Sequence, residues 1–188
     1  MTMLLENLRY IFDRRYTDKV SAKSDDPAIR EVAQLLKGRS HSPFARSIHV
    51  RMVDAGSPND VELEEGLMMS PRVDAERFGV HFVASPRHAD VLLVTGPVAK
   101  NMHIALIKTY EAMAEPRAVV AAGDGACFGW EGKDNYALAA GTGKVEDVLH
   151  VDVKVPGNPP TPYQLLAGIL KAGSVLAKKS EEHHHHKK

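Results

Sequence analysis

The chain has 188 residues, 44% of them hydrophobic and 26% charged, which suffices to bury one core without cross-links. Its 24 Lys and Arg balance 24 Asp and Glu, and aromatic residues make up 6%, so neither a basic surface nor a supply of stacking rings points to nucleic acid. A single cysteine excludes an internal disulfide, no apolar run approaches the roughly 20 residues that cross a bilayer, and the first residues lack the order of a signal peptide.

In chain order, Leu4, Leu5, Leu8, Ile11 and Phe12 recur at helical spacing, with Glu6, Arg9, Asp13, Arg14 and Arg15 between them. This predicts an amphipathic helix that lies on a membrane surface, docks on a partner, or packs on its own domain. Lys19 to Ser24 reads as a polar linker. A second helix follows, with Asp25 or Asp26 as cap, Pro27 in the first turn, Ile29, Val32, Leu35 and Leu36 as its stripe, and Gly38 as its stop. From Ser47 the period changes: Ile48, Val50 and Met52 alternate with polar residues as in a half-buried strand, and Val91 to Val94 and Ala118 to Ala122 are continuous apolar runs of central parallel strands. Ile104, Leu106, Ile107, Tyr110 and Met113 fit a helix after the Gly96-Pro97 turn, and Leu165, Leu166, Ile169 and Leu170 another after Pro162. The alternation predicts an α/β fold, a flavodoxin-like doubly wound parallel sheet with an N-terminal helical extension.

Four segments carry a resemblance. Ala84-Ser85-Pro86-Arg87-His88-Ala89-Asp90 leading into Val91 to Val98, Gly56-Ser57-Pro58-Asn59-Asp60-Val61-Glu62, Gly123-Asp124-Gly125-Ala126, and Val155-Pro156-Gly157-Asn158-Pro159-Pro160 resemble turns of the small, cluster-bearing subunit shared by complex I and the energy-converting nickel-iron hydrogenases. The likeness runs from about Ser47 to Ala172, and the first turn is closer to the hydrogenase branch. It implies that Pro58, Val61, Gly125 and Asn158 stand where that family has the four cysteines of its iron-sulfur cluster. Proline, valine and glycine offer no donor atom, and the amide oxygen of Asn158 is a poor match for iron in a four-iron cluster. The expected cofactor content is therefore none, the ancestral cluster being lost, with Pro58 and Val61 filling its place as a rigid plug.

The three turns each follow a predicted strand, so they are expected to converge beyond the carboxyl ends of the sheet. The resemblance marks Glu62, Arg87 and His88 as subunit-interface positions. On their residues alone, Glu62 with Glu64 and Glu65 reads as a solvated helix face, and His88 as a hydrogen-bonded structural side chain. Cys127 is expected as a small buried hydrophobe, without a redox role. His41, His49, His81, His103 and His150 show no paired metal spacing, and Gly141, Gly143 and Asp147 lack the signature of a phosphate loop. His183 to His186 could hold a divalent ion loosely, but residues 179–188 have nothing apolar beyond residue 178 to order them and are expected to be a disordered tail, natural or a purification tag.

The resulting division is residues 1–45 as helices and linker for partner or membrane contact, 46–178 as the α/β domain, and 179–188 as the tail. The expected role is a non-redox scaffold or coupling subunit in a membrane-attached, complex-I-like assembly, with no catalysis of its own. Its partners would be a hydrogenase-like large subunit and membrane subunits, on the cytoplasmic side of the cell membrane. The alternatives are an electron-transfer subunit with a divergent cluster and a free-standing module that binds a small ligand.

Overall fold

The computed structural model describes residues 26–38, 47–130, 135–139 and 141–185. The amphipathic segment Leu4 to Arg15, the linker Lys19 to Ser24, His41 and residues 186–188 lie outside them. The elements are α1 (Pro27–Gly38), β1 (Ile48–Asp54), α2 (Asp60–Met68), β2 (Val80–Phe82), β3 (Val91–Thr95), α3 (Lys100–Glu111), β4 (Ala118–Ala122), α4 (Asp124–Phe128), β5 (Val153–Val155) and α5 (Pro162–His185).

Asp26 is the cap of α1, its Oδ1 accepting the Ala28 N–H at 2.9 Å. The five strands form one parallel sheet in the order β2-β1-β3-β4-β5, the doubly wound order in which the chain crosses from one face to the other after β2. β3 and β4 are buried along their whole length, which is why their sequences are unbroken apolar runs. The flanking strands alternate, and this alternation divides the core in two.

On one face Ile48, Val50, Leu93 and Val120 meet Leu165, Leu166, Ile169 and Leu170 of α5. On the other, Val53, Leu92, Val94 and Val119 meet Leu106 of α3 together with Val145 and Leu149. Each fully buried Leu or Ile contributes about 1.5–3 kcal/mol of transfer free energy, so α5, with four such residues in a row of contacts, is the main cover of its face. Gly168 lets α5 come this close, since a Cβ there would run into the side chain of Val155.

Two aspartates lock strand ends. Asp90, just before β3, accepts the His49 N–H of β1 at 2.9 Å, and Asp152, just before β5, accepts the Val119 N–H of β4 at 2.9 Å. Among the described residues no helix is long and apolar enough to cross a membrane.

Two expectations change. β2 spans only Val80–Phe82, too short for a periodic signal, and was not anticipated. The helix α5 does not stop at residue 178 but runs through Lys179 to His185, so that part of the expected tail is helical. The reason is tertiary: Lys179 Nζ reaches Asp152 Oδ1 at 2.7 Å and donates to the Arg117 carbonyl at 2.9 Å, fastening the continuation to the sheet end.

Candidate functional site

Three loops leave the carboxyl ends of β1, β4 and β5 and meet, as a parallel sheet requires of its functional loops. The β1 loop is shaped by its own side chains. Asp54 Oδ1 accepts the N–H groups of Gly56 at 2.9 Å and Ser57 at 2.8 Å, and Asn59 takes a left-handed conformation (φ 73°) before α2 begins. The turn after β3 presses against it at Gly96, whose φ is +67° and where a Cβ would collide with the Ser57 backbone. The β4 and β5 loops are tied in both directions: Asp124 Oδ1 accepts the Gly157 N–H at 2.8 Å while the Asp124 N–H donates to the Gly157 carbonyl at 2.9 Å.

Between these loops lies a cleft of about 840 Å³. Pro58, Val61, Gly125 and Asn158 all line it, as the expected convergence requires. Gly96 and Pro97 line it as well, with Phe128 and Trp130 exposed at its edge and Lys144 adding a cation. The expectation of a filled, plugged site is not met. Val61 does turn inward and is buried, but Pro58 and Asn158 are exposed and the space between the loops stays open. Proline and valine have the volume to line a wall and not to replace a cluster several ångströms across.

Cys127 stands apart from the cleft. It is buried in the second core layer, its thiol donates to the Ala121 carbonyl with an Sγ to O distance of 3.4 Å, and burial pushes its pKa up to about 11. It behaves as the buried small hydrophobe expected of it. The donor set of the cleft does not fit a cysteine-ligated four-iron cluster, because no thiolate faces it and two of the four positions carry only hydrocarbon. Among the described residues no group of three or more His, Cys, Asp and Glu is placed to hold a metal ion.

The acids of α2 depart from a solvated helix face. Glu62 turns inward, its carboxylate accepting from Ser57 Oγ at 2.7 Å and from the buried hydroxyl of Thr95. Glu65 is buried, and its pKa is raised first by that burial and then by the nearby charge of Glu62. The residues that α2 exposes are Leu63 and Leu67, followed by Met69 just beyond its end. Nothing in the charge pattern reveals this reversal; the signal that could have done so is the pair of leucines at i and i+4 on the side away from Val61 and Met68.

Arg87 and His88 lie elsewhere. They form an exposed 3₁₀ turn, Pro86–His88, at the amino end of β3, opposite the end that carries Glu62 and the cleft. The His88 side chain makes no hydrogen bond among the described residues, so its expected structural bond is absent, and the three positions expected at a subunit interface do not form one patch. Gly141 and Gly143 adopt positive φ in a loop with no phosphate-binding signature.

The sequence matches the family described as NADH ubiquinone oxidoreductase, 20 kDa subunit, over residues 57–172. The chain belongs to that family. Within it, the chain is 41% identical over 150 residues to a probable membrane-bound hydrogenase subunit, mbhJ, of Pyrococcus furiosus, covering 79% of this chain and 84% of that one. It is 39% identical over 134 residues to formate hydrogenlyase subunit 7 of Escherichia coli, covering 71% of this chain and 51% of that one. Among solved structures it resembles a chain of the membrane-bound sulfane sulfur reductase, an archaeal respiratory membrane complex, with a TM-score of 0.60 and 25% identity over 81% of this chain and 77% of that one. The family's fold is thus the observed five-stranded parallel sheet with helices on both faces.

Proposed function

We propose that this chain is a non-redox scaffold and coupling subunit of a membrane-attached, complex-I-like and hydrogenase-related assembly, in which the family's four-iron cluster has been lost. Its relatives are named as subunits of a membrane-bound hydrogenase and of formate hydrogenlyase, and its structural neighbour belongs to a membrane complex. The observation that carries the loss is the single cleft where Pro58, Val61, Gly125 and Asn158 come together without a thiolate, while the chain's one thiol is buried outside it.

In this reading the chain contributes rigidity and surface. The loops around the cleft are fixed by their own hydrogen bonds, so a partner meets a preformed shape and loses little entropy in ordering it. Large and membrane subunits would bind it from the cytoplasmic side, and any movement of protons or sodium ions would belong to the assembly. An electron-transfer role with a divergent cluster is disfavoured by the donor set. Binding of a small ligand is favoured by one observation, the open volume of about 840 Å³.

The deciding measurement is iron and acid-labile sulfide on the native complex, purified without oxygen and with its subunits identified. Absence of a cluster on this chain alongside co-purifying membrane subunits supports the scaffold. Near-stoichiometric iron and sulfide assigned to this chain would sink it.

A further inference from the structure

Away from the cleft, on the sheet face that carries His49 and Val53, Arg51 projects from β1. Its Nε is closed off from water and has no hydrogen-bond acceptor. Among the described residues the Arg51 side chain makes no ion pair or hydrogen bond. A groove of about 590 Å³ opens beside it, walled by Met102, Ala105 and Thr109 of α3 and by Asp54.

The other polar groups of the groove are already engaged. The Thr109 hydroxyl donates to the Ala105 carbonyl at 2.8 Å, and Asp54 spends Oδ1 on the Gly56 and Ser57 amides and forms no ion pair with Arg51. Asp90, at the amino end of β3, is held by His49, whose ring stacks on His81 with centroids 5.7 Å apart. A guanidinium is left partly desolvated with no hydrogen-bond or ion-pair partner, the Asp54 carboxylate of the same groove being turned to its own loop, an arrangement that costs stability in the free chain.

We infer that the Arg51 groove docks an aspartate or glutamate side chain of a partner subunit, presented on a segment whose apolar neighbours pack on Met102 and Ala105. A planar carboxylate is the group that a guanidinium fork matches best, and the apolar walls would exclude water from the pair. This rests on the chain being one subunit of an assembly, as proposed above.

The test uses the full-length chain expressed with its native partners. Arg51→Met keeps the stem and removes the charge; Arg51→Lys keeps a charge without the fork. A photo-crosslinking residue at Ala105 identifies what lies in the groove. The expected result is an isolated Arg51→Met chain whose Tm is unchanged or raised, a loss of roughly tenfold or more in partner subunit retained after a salt wash, an intermediate loss for Arg51→Lys, and crosslinks to a partner peptide containing Asp or Glu. Partner retention that is indifferent to Arg51→Met overturns the inference. So do crosslinks that fall on a second copy or on residues 1–25 of the chain itself. A shift of the Arg51 Nε–H resonance by millimolar acetate or phosphate, with assembly unaffected by Arg51→Met, would assign the groove to free anions instead. A wild-type chain that co-purifies with no other subunit overturns both readings; subunits retained regardless of Arg51 overturn only this one.

Discussion

Glu65 shows how a side chain can be placed against its own preference. It sits inside α2 where an apolar residue would pack better, and both burial and Glu62 favour its protonated form. A folded-state pKa above the unfolded one means that the group's contribution to stability is fully present below the unfolded value and is lost as pH rises through the folded one. Glu65→Gln should therefore raise Tm at pH 7 to 8, and the gain should vanish near pH 4, where both states of the wild type carry the proton. Equal melting shifts at both pH values would show that the charge at Glu65 is compensated. The same residue shows where the sequence was misleading: three acids in Glu62, Glu64 and Glu65 look like a wet face, yet two of them turn inward while Leu63 and Leu67 face out. Charge content reports solvation only on average, and a helix that turns two leucines outward breaks that average. That Pro58, Val61, Gly125 and Asn158 would face one cleft was, by contrast, legible because loops that follow strands of a parallel sheet meet beyond its carboxyl end.

At the scale of elements, the cleft depends on three loops held together by backbone groups and by the Asp124 carboxylate. Under the proposed loss of the cluster, Pro58→Cys, Val61→Cys, Gly125→Cys and Asn158→Cys together should let the chain take up about four irons on anaerobic reconstitution, against none for the unaltered chain. Gly125 is the tight position, since a Cβ there stands 2.8 Å from Pro97 Cδ and that ring must yield. A folded quadruple variant that binds no iron would mean that the loops have drifted from cluster geometry. The helix α5 makes a second case. Lys179→Ala removes the cation beside Asp152, whose side chain is only 6% exposed, and should cost about 1 kcal/mol while speeding amide exchange beyond residue 178. Unchanged exchange there would show that the continuation holds by helix propensity alone. The strands β3 and β4 and the stripe Leu165, Leu166, Ile169 and Leu170 could be read in advance because burial on one or two faces writes a period into sequence. The ties of Lys179 and of Asp124 to Gly157 could not, because such contacts span distant residues and leave no period.

For the whole molecule, the order β2-β1-β3-β4-β5 places the cleft at one end of the sheet, the Pro86–His88 turn at the other, and the Arg51 groove on a face between them. These separate surfaces suit a body that touches more than one neighbour. Exposed Phe128 and Trp130 border the cleft, and Leu63 and Leu67 lie on the helix that starts there, so this end of the sheet carries several of the exposed large hydrophobic residues of the described surface. One further consequence concerns how such a chain comes to exist. α5 follows every strand in sequence, yet it covers β3, β4 and β5 and packs on both α1 and α2. While the chain is still being synthesised, Ile48, Val50, Leu93 and Val120 have for company such earlier residues as Val32, Val61 and Met68, and the part of the sheet under α5 is uncovered. Closure of that face waits for residues 162–185 to leave the ribosome, so this half of the core is completed late in synthesis.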